Sequence, residues 1–119
     1  GSAAAMSAAA LVLAAGGTPF QASQAICFII KNMLGLICDP VAGLVEVPCV
    51  KRNAMGASYA FIAADMALAG IESKIPVDEV IDAMYQVGVS MPTAFRETAE
   101  GGLATTPTGR KLSKEIFGD

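Results

Sequence analysis

The sequence contains no histidine and no tryptophan, and only 16% of its 119 residues are charged. The missing histidine excludes an imidazole as a metal ligand or as a catalytic base within this chain. The charged fraction is well below the value of about 25% that is usual for soluble domains. Aromatic residues make up 6% of the chain and the net charge is -3. Without a basic stripe or stacking side chains, we expect no nucleic-acid binding.

The first charged residue is Lys31, so about a quarter of the chain is uncharged. We expect this segment to be covered by a partner chain, by a further part of the same chain or by a membrane. A spanning helix needs about 20 predominantly apolar residues, and the apolar run over 3–15 is shorter and ends at Gly16. We therefore expect no membrane segment. The start of the chain has no basic segment typical of a secretory signal, so we expect the three cysteines to be thiols or ligands rather than disulfides.

Helix signals follow one another along the whole chain. Alanine, the best helix former, dominates the beginning, and proline or glycine stands near each expected boundary. The pattern predicts helices over 2–15, from Pro19 to near Gly35, over 48–69, from 75–79 onward and over 110–117. No segment predicts a convincing strand. The predicted fold class is therefore all-α: a compact helical domain of about five or six helices, spanning 1–119 as a fragment of a larger helical domain.

Finer predictions concern the connections and one helix face. Asp39-Pro40 repeats the cap-proline pattern of Thr18-Pro19 and predicts a short turn. A short helix is expected over 92–98, and loops over 101–102 and 105–109. The spacing in the fourth helix predicts that four residues point inward: Val80, Ile81, Met84 and Val87.

The three cysteines have different sequence surroundings. Cys27 lies within an apolar helix, where we expect it to be a buried, small hydrophobic residue. Cys38 and Cys49 each lie at a predicted helix boundary, within two residues of a proline. Free backbone N–H groups there, together with Lys51 and Arg52, are expected to lower the pKa of a thiol and to favour metal binding. Spacing alone also allows two ordinary loop cysteines, because two thiols with ten residues between them do not form a zinc ribbon.

Other polar residues give weaker signals. The acidic residues are interpreted as solvated or helix-capping groups: Asp65, Glu72, Asp78, Glu79 and Asp82. The sequence contains no glycine-rich phosphate loop and no serine–histidine pair. No catalytic residue is therefore identified, and the substrate-binding residues stay unassigned.

The segment GLICDPVAGLVEVPCVKRNAMGA, over 35–57, closely resembles the C-terminal part of the iron–sulfur L-serine dehydratases, in particular the alpha chain of the two-subunit bacterial enzymes. The likeness covers nearly the whole chain. It also includes GGTPFQASQA, IAADMALAGI, IPVDEVIDAMYQVG and MPTAFRETAEGGLATTPTGRKL. A match of this length is far more specific than a short motif.

The resemblance implies a 4Fe–4S cluster held by cysteines, to which Cys38 and Cys49 would contribute two ligands, whereas Cys27 falls outside the motif. One iron of the cluster would act on the hydroxyl of L-serine, which would lose water and be converted to pyruvate and ammonia without pyridoxal phosphate. The resemblance also implies a beta chain as partner. It places the enzyme in the cytoplasm, in amino-acid degradation and gluconeogenesis.

Several features of the family are absent from this sequence. A further ligand cysteine would precede Gly1, the family's histidines are missing, and the chain lacks the terminal cysteine of some relatives. We therefore expect the N-terminal part of the alpha chain to be missing, and the fragment alone to be inactive and without metal. Residues 51–53 are close enough to the second ligand to orient the cluster or the substrate carboxylate.

Two alternatives stay open at this stage. One is a non-enzymatic helical module that binds a partner through its apolar N-terminal face, with purely structural cysteines. The other is a zinc site that two chains share through Cys38 and Cys49.

Overall fold

The computed structural model describes residues 1–118, which form five α-helices and no strand. The all-α fold class is therefore confirmed. Three short 3-10 turns lie between the helices, at Val41–Gly43, Thr93–Phe95 and Gly102–Thr105. The helices are α1 (Ser2–Ala14), α2 (Pro19–Met33), α3 (Cys49–Leu68), α4 (Val77–Ser90) and α5 (Pro107–Phe117).

Local sequence signals explain where α2 begins. The Thr18 hydroxyl accepts a hydrogen bond from the Gln21 N–H at 3.1 Å, and the Gln21 side chain accepts one from the Thr18 N–H at 2.9 Å. Pro19 occupies the first turn, where its missing N–H costs nothing. This reciprocal capping box satisfies two backbone donors that the helix itself cannot bond. The predicted cap at Thr18-Pro19 is confirmed.

The chain divides into two structural units, and α3 belongs to both. Unit 1 comprises residues 1–35 and 55–89, and unit 2 comprises residues 36–54 and 90–119, of which the structure describes all but the last. Unit 1 contains α1, α2, most of α3 and nearly all of α4. Unit 2 contains the start of α3, α5 and the three 3-10 turns.

Small side chains dominate the core of unit 1. Alanines of α1, α2 and α3 pack together around the larger residues Val12, Phe28, Ile29 and Ile30. The buried amide of Gln24 accepts a hydrogen bond from the Ser73 N–H at 2.7 Å. This bond ties α2 to the segment that leads into α4.

One face of α4 differs from the prediction. Val80 is buried and Met84 and Val87 are half-buried, but the Ile81 side chain is 41% exposed. The prediction that Ile81 points into the core is therefore wrong. The buried stripe of α4 is narrower than its apolar sequence indicates, so that a neighbour of Val80 remains at the surface.

In unit 2, α5 packs against the turns Val41–Gly43 and Gly102–Thr105. The predicted loop over 105–109 is wrong in its second half, because α5 already begins at Pro107. The Thr106 hydroxyl accepts a hydrogen bond from the Gly109 N–H at 3.1 Å. Thr106-Pro107 is thus a second threonine-proline helix start, like Thr18-Pro19. The short helix predicted over 92–98 is present as the 3-10 turn Thr93–Phe95.

Unit 1 exposes large apolar side chains along the uncharged N-terminal part of the chain. Met6 is 72% exposed, and Leu13 and Phe20 also lie at the surface. No helix within residues 1–118 combines the length and the apolar character needed to cross a bilayer.

Candidate metal centre

The backbone of Cys38 is held from both sides by one segment of unit 2. The Cys38 N–H donates a hydrogen bond to the carbonyl of Phe95 at 2.9 Å. The Glu97 N–H donates one to the carbonyl of Cys38 at 2.8 Å. Both bonds join residues that are more than fifty positions apart, so the position of Cys38 depends on the folded unit and not on its local sequence.

Cys49 is the first residue of α3 and also belongs to unit 2. Both cysteines are half-buried and neither forms a disulfide. A negative charge on Cys49 would raise the pKa of the Cys38 thiol. The structure therefore places the two predicted ligands within electrostatic range of each other in the same unit.

Asp39 and Arg52 form an ion pair between the segments that contain the two cysteines. Arg52 Nη1 lies 2.7 Å from Asp39 Oδ1 and 3.1 Å from the carbonyl oxygen of Ile37. Asp39 Oδ2 accepts a hydrogen bond from the Leu103 N–H at 2.6 Å. The Asp39 side chain is only 1% exposed, whereas that of Arg52 is 29% exposed. Each carboxylate oxygen of Asp39 thus has its own donor.

The Asp39 carboxylate does not have the predicted role of a helix cap. The short 3-10 turn does follow Asp39, but Pro40 occupies its N-cap position and no side chain caps it. Burial opposes the charged form of Asp39, yet the bonds from the Leu103 N–H and the Arg52 guanidinium outweigh it and lower the pKa of this carboxyl. Asp39 is therefore a buried, charged group that binds distant parts of the unit.

The pKa of the Cys38 thiol is raised, not lowered as the sequence predicts. Burial is the largest cause, followed by the negative charges of Glu97 and Cys49, while Arg52 opposes the shift. Asp39 adds a smaller contribution that raises the pKa further. The error has a physical reason, because the sequence shows the nearby cations but not the burial of the thiol or the acid from position 97.

The remaining residues that the sequence singles out lie in different environments. Lys51 and Asn53 are exposed on α3, whereas Arg52 is engaged by Asp39 and Ile37. Cys27 is completely buried in unit 1, and its sulfur lies 3.8 Å from the carbonyl oxygen of Ile75. The expectation that Cys27 is a buried, small hydrophobic residue is confirmed.

The two thiols match part of the donor set of an iron–sulfur cluster, whose protein ligands are cysteine thiolates. Cys38 and Cys49 are free, partly accessible and placed in one unit. Residues 1–118 contain no group of three or more histidine, cysteine or acidic side chains arranged to hold a metal ion. Cys38 and Cys49 therefore fit as two ligands of a cluster, and not as a complete site.

Comparison with known proteins gives the family. A family model described as the serine dehydratase alpha chain matches residues 1–104. The chain belongs to this family. The resemblance stated from the residues is thereby confirmed.

Three members of the family are similar to this chain over nearly its whole length. The probable L-serine dehydratase alpha chain of Bacillus subtilis (strain 168) is 73% identical over 118 residues, which are 99% of this chain and 39% of the relative. The probable alpha chain of Latilactobacillus sakei is 62% identical over 99% of this chain and 56% of its own length. The alpha chain of Peptoniphilus asaccharolyticus is 57% identical over 98% and 40%. The chain thus spans between two fifths and just over half of these relatives.

Sequence reasoning missed the residues that hold Cys38 in place. The sequence pattern predicts a capping role for Asp39 and gives no role to Leu103 or Glu97. One signal was present, because Gly101-Gly102 precedes Leu103 and allows the backbone to approach closely. A Cβ atom at position 102 would lie 2.7 Å from the Cβ of Asp39. The glycine pair therefore indicates that the backbone comes close to another residue, but it does not identify Asp39 as that residue.

Proposed function

We propose that this chain is the cluster-binding part of an L-serine dehydratase alpha chain, in which Cys38 and Cys49 are two ligands of a 4Fe–4S cluster. The complete enzyme would convert L-serine to pyruvate and ammonia. The observation that supports this proposal most directly is the placement of two free, half-buried thiols in one unit of a family member. The relatives, which are named as L-serine dehydratases, support the substrate and the reaction class.

A bound cluster would supply a Lewis acid that polarises the serine hydroxyl and makes it a better leaving group. The residues of this chain have a narrower task. Cys38 and Cys49 would hold iron as thiolates, so the Cys38 thiol, whose pKa is raised, would release its proton on binding. The half-buried positions of the two cysteines would limit the access of water to a cluster bound there.

The proposed active enzyme contains more than this chain. Two thiols are fewer than the ligands that such a cluster requires, so at least one further ligand comes from elsewhere in the protein. We propose the remaining part of the alpha chain as its source and a beta chain as the partner subunit. The proposed location is the cytoplasm, and the chain alone is expected to be inactive and free of metal.

Serine substitutions in the complete enzyme test the ligand assignment. Cys38→Ser and Cys49→Ser are each expected to abolish pyruvate formation from L-serine, because a serine hydroxyl is a poor replacement for a thiolate ligand. The matched control is Cys27→Ala, which removes a buried sulfur in unit 1 and is expected to leave the activity largely intact. Activity is measured as pyruvate released by anaerobically purified enzyme.

Substantial activity in either Cys38→Ser or Cys49→Ser would refute the ligand assignment. Loss of activity in all three variants alike would indicate that the cysteines serve folding and not cluster binding. Zinc in place of iron in the purified protein would favour the zinc site that two chains share.

A further inference from the structure

Arg52 contacts both residues that flank Cys38, and it lies close to Cys49 along α3. Its Nη1 donates to the carbonyl of Ile37, on one side of Cys38, and to the carboxylate of Asp39, on the other. Cys49 lies three positions before Arg52, which is nearly one helical turn. A single guanidinium nitrogen therefore joins the helix start that contains Cys49 to the peptide segment that contains Cys38.

Asp39 extends this link to a third segment. Its second carboxylate oxygen accepts a hydrogen bond from the Leu103 N–H at 2.6 Å. The carboxylate is almost completely buried, so that neither bond competes with bulk water. A hydrogen bond to a charged group in such surroundings is shorter and stronger than one between neutral groups. The two short bonds of Asp39 fix the peptide next to Cys38.

The position of Arg52 argues against a direct role in binding the substrate carboxylate. Its charge is already balanced by Asp39 at 2.7 Å, and this pairing weakens its attraction for a second carboxylate. Lys51, the neighbouring cation, is exposed, and the structure gives it no ion pair within residues 1–118. The two adjacent basic residues therefore have different environments despite their adjacent positions.

We propose that Asp39 and Arg52 are positioning residues that set the distance between the Cys38 and Cys49 sulfurs and thereby retain the cluster. This inference rests on the proposed function, because it concerns the same two ligands. Groups that orient metal ligands affect metal affinity about ten- to hundredfold when they are substituted, although they never touch the metal. The ion pair would act through the peptide next to Cys38 and the first turn of α3.

Iron release from the complete, anaerobically purified enzyme tests the proposal. The rate at which an excess of iron(II) chelator removes iron is measured for Asp39→Asn and Arg52→Gln, together with the visible spectrum and the electron paramagnetic resonance spectrum of the dithionite-reduced enzyme. An amide at position 39 offers one acceptor and one donor, so it leaves one of the two existing donors unpaired. We expect release at least about tenfold faster than from the unsubstituted enzyme, and an altered resonance spectrum.

Three further variants separate positioning from charge and from general stability. Lys51→Gln removes one positive charge from the same helix turn and is expected to release iron at the original rate. Arg52→Lys keeps the charge and can still donate to Asp39, so we expect it to restore most of the iron retention. Val80→Ala lowers the stability of unit 1 and is expected to leave the iron release unchanged. If Asp39→Asn does not fold, the test relies on Arg52→Gln. The Arg52 side chain is partly exposed, so we expect this variant to fold.

Several results would overturn the proposal. One is unchanged iron release from Arg52→Gln and from any folded Asp39→Asn protein. A second is iron release from Val80→Ala that is accelerated as much as release from Arg52→Gln at an equal loss of melting temperature. This result would indicate a general effect of stability. A third is an Arg52→Gln enzyme that keeps its iron and shows only a raised KM for L-serine, which would assign Arg52 to substrate binding.

The cysteine variants distinguish this failure from a failure of the proposed function. If Cys38→Ser and Cys49→Ser lose the cluster while Asp39→Asn and Arg52→Gln keep it, only the positioning role is wrong. If the unsubstituted enzyme contains no iron, or both cysteine variants retain it, the proposed function fails and the positioning role fails with it.

Discussion

Cys27 shows at the scale of one residue how burial decides the chemistry of a thiol. Its side chain is fully buried among the apolar residues of unit 1. Burial raises its pKa above the ordinary value of 9.0, and a hydrogen bond from Ser73 and the charge of Lys31 oppose the shift only partly. The neutral thiol is therefore the form that the folded chain accommodates.

This raised pKa predicts a loss of stability in alkaline solution. Because the unfolded chain releases the Cys27 proton more readily than the folded chain, the contribution of the thiol is fully present below about pH 9 and decreases as the pH rises through the folded-state pKa. The melting temperature of the chain and of Cys27→Ala is measured from pH 7 to pH 10.5. We expect the difference between the two proteins to change in favour of Cys27→Ala above pH 9. A constant difference over this range would contradict the prediction.

The residues around Cys38 mark the limit of residue-level prediction. The two candidate ligands could be selected from the sequence, because each lies within two residues of a proline and both match a long family segment. The raised pKa of Cys38 could not, because it results from burial and from Glu97, which is 59 positions away in the chain. The role of Asp39 depends on Leu103 in the same way. Local patterns do not contain such long-range pairs.

At the scale of the helix, boundaries with a local cause were predictable. The start of α2 follows from Thr18-Pro19, and α3 ends within one residue of the predicted position, two residues before Gly70. The same threonine-proline pattern at Thr106-Pro107 also begins a helix, although the glycine and threonine content of the segment predicts a loop. Ile81 shows the opposite limit, because the depth of burial on α4 depends on the helices against which it packs.

Two glycines with opposite environments give a prediction about folding stability. Gly102 has a φ of +59° and no room for a side chain, because a Cβ atom would lie 2.7 Å from that of Asp39. Gly88 lies within α4, and a Cβ atom there would have no neighbour within 4 Å. We expect Gly102→Ala to cost about 1–3 kcal/mol of folding free energy, and Gly88→Ala to stabilise by up to about 1 kcal/mol.

Thermal unfolding followed by circular dichroism measures both glycine variants. The expected result is a lower melting temperature for Gly102→Ala and an equal or higher one for Gly88→Ala. If Gly102→Ala melts like the unsubstituted chain, the close approach of the Gly102 backbone to Asp39 is not important for stability. The link from Asp39 to Leu103 would then have no energetic support.

At the scale of the whole molecule, two features describe the chain: its exposed apolar surface and its length compared with that of its relatives. The uncharged N-terminal segment presents exposed apolar side chains in unit 1, including Met6. The chain also spans only 39% of the Bacillus subtilis relative. The all-α class and the family were predictable because they depend on the whole pattern of residues. The surroundings of the exposed apolar side chains were not, because the sequence does not show what covers them.

The most direct test of the account is the iron and sulfide content of the complete alpha chain, co-purified without oxygen with its proposed beta chain, together with the visible absorption before and after exposure to air. The account predicts about four irons and four sulfides per alpha chain, as a 4Fe–4S centre requires, and a broad absorption band that bleaches in air. It also predicts that Cys38→Ser and Cys49→Ser lack this band, whereas Cys27→Ala keeps it. A folded, colourless and iron-free complex after attempted cluster reconstitution would contradict the central claim.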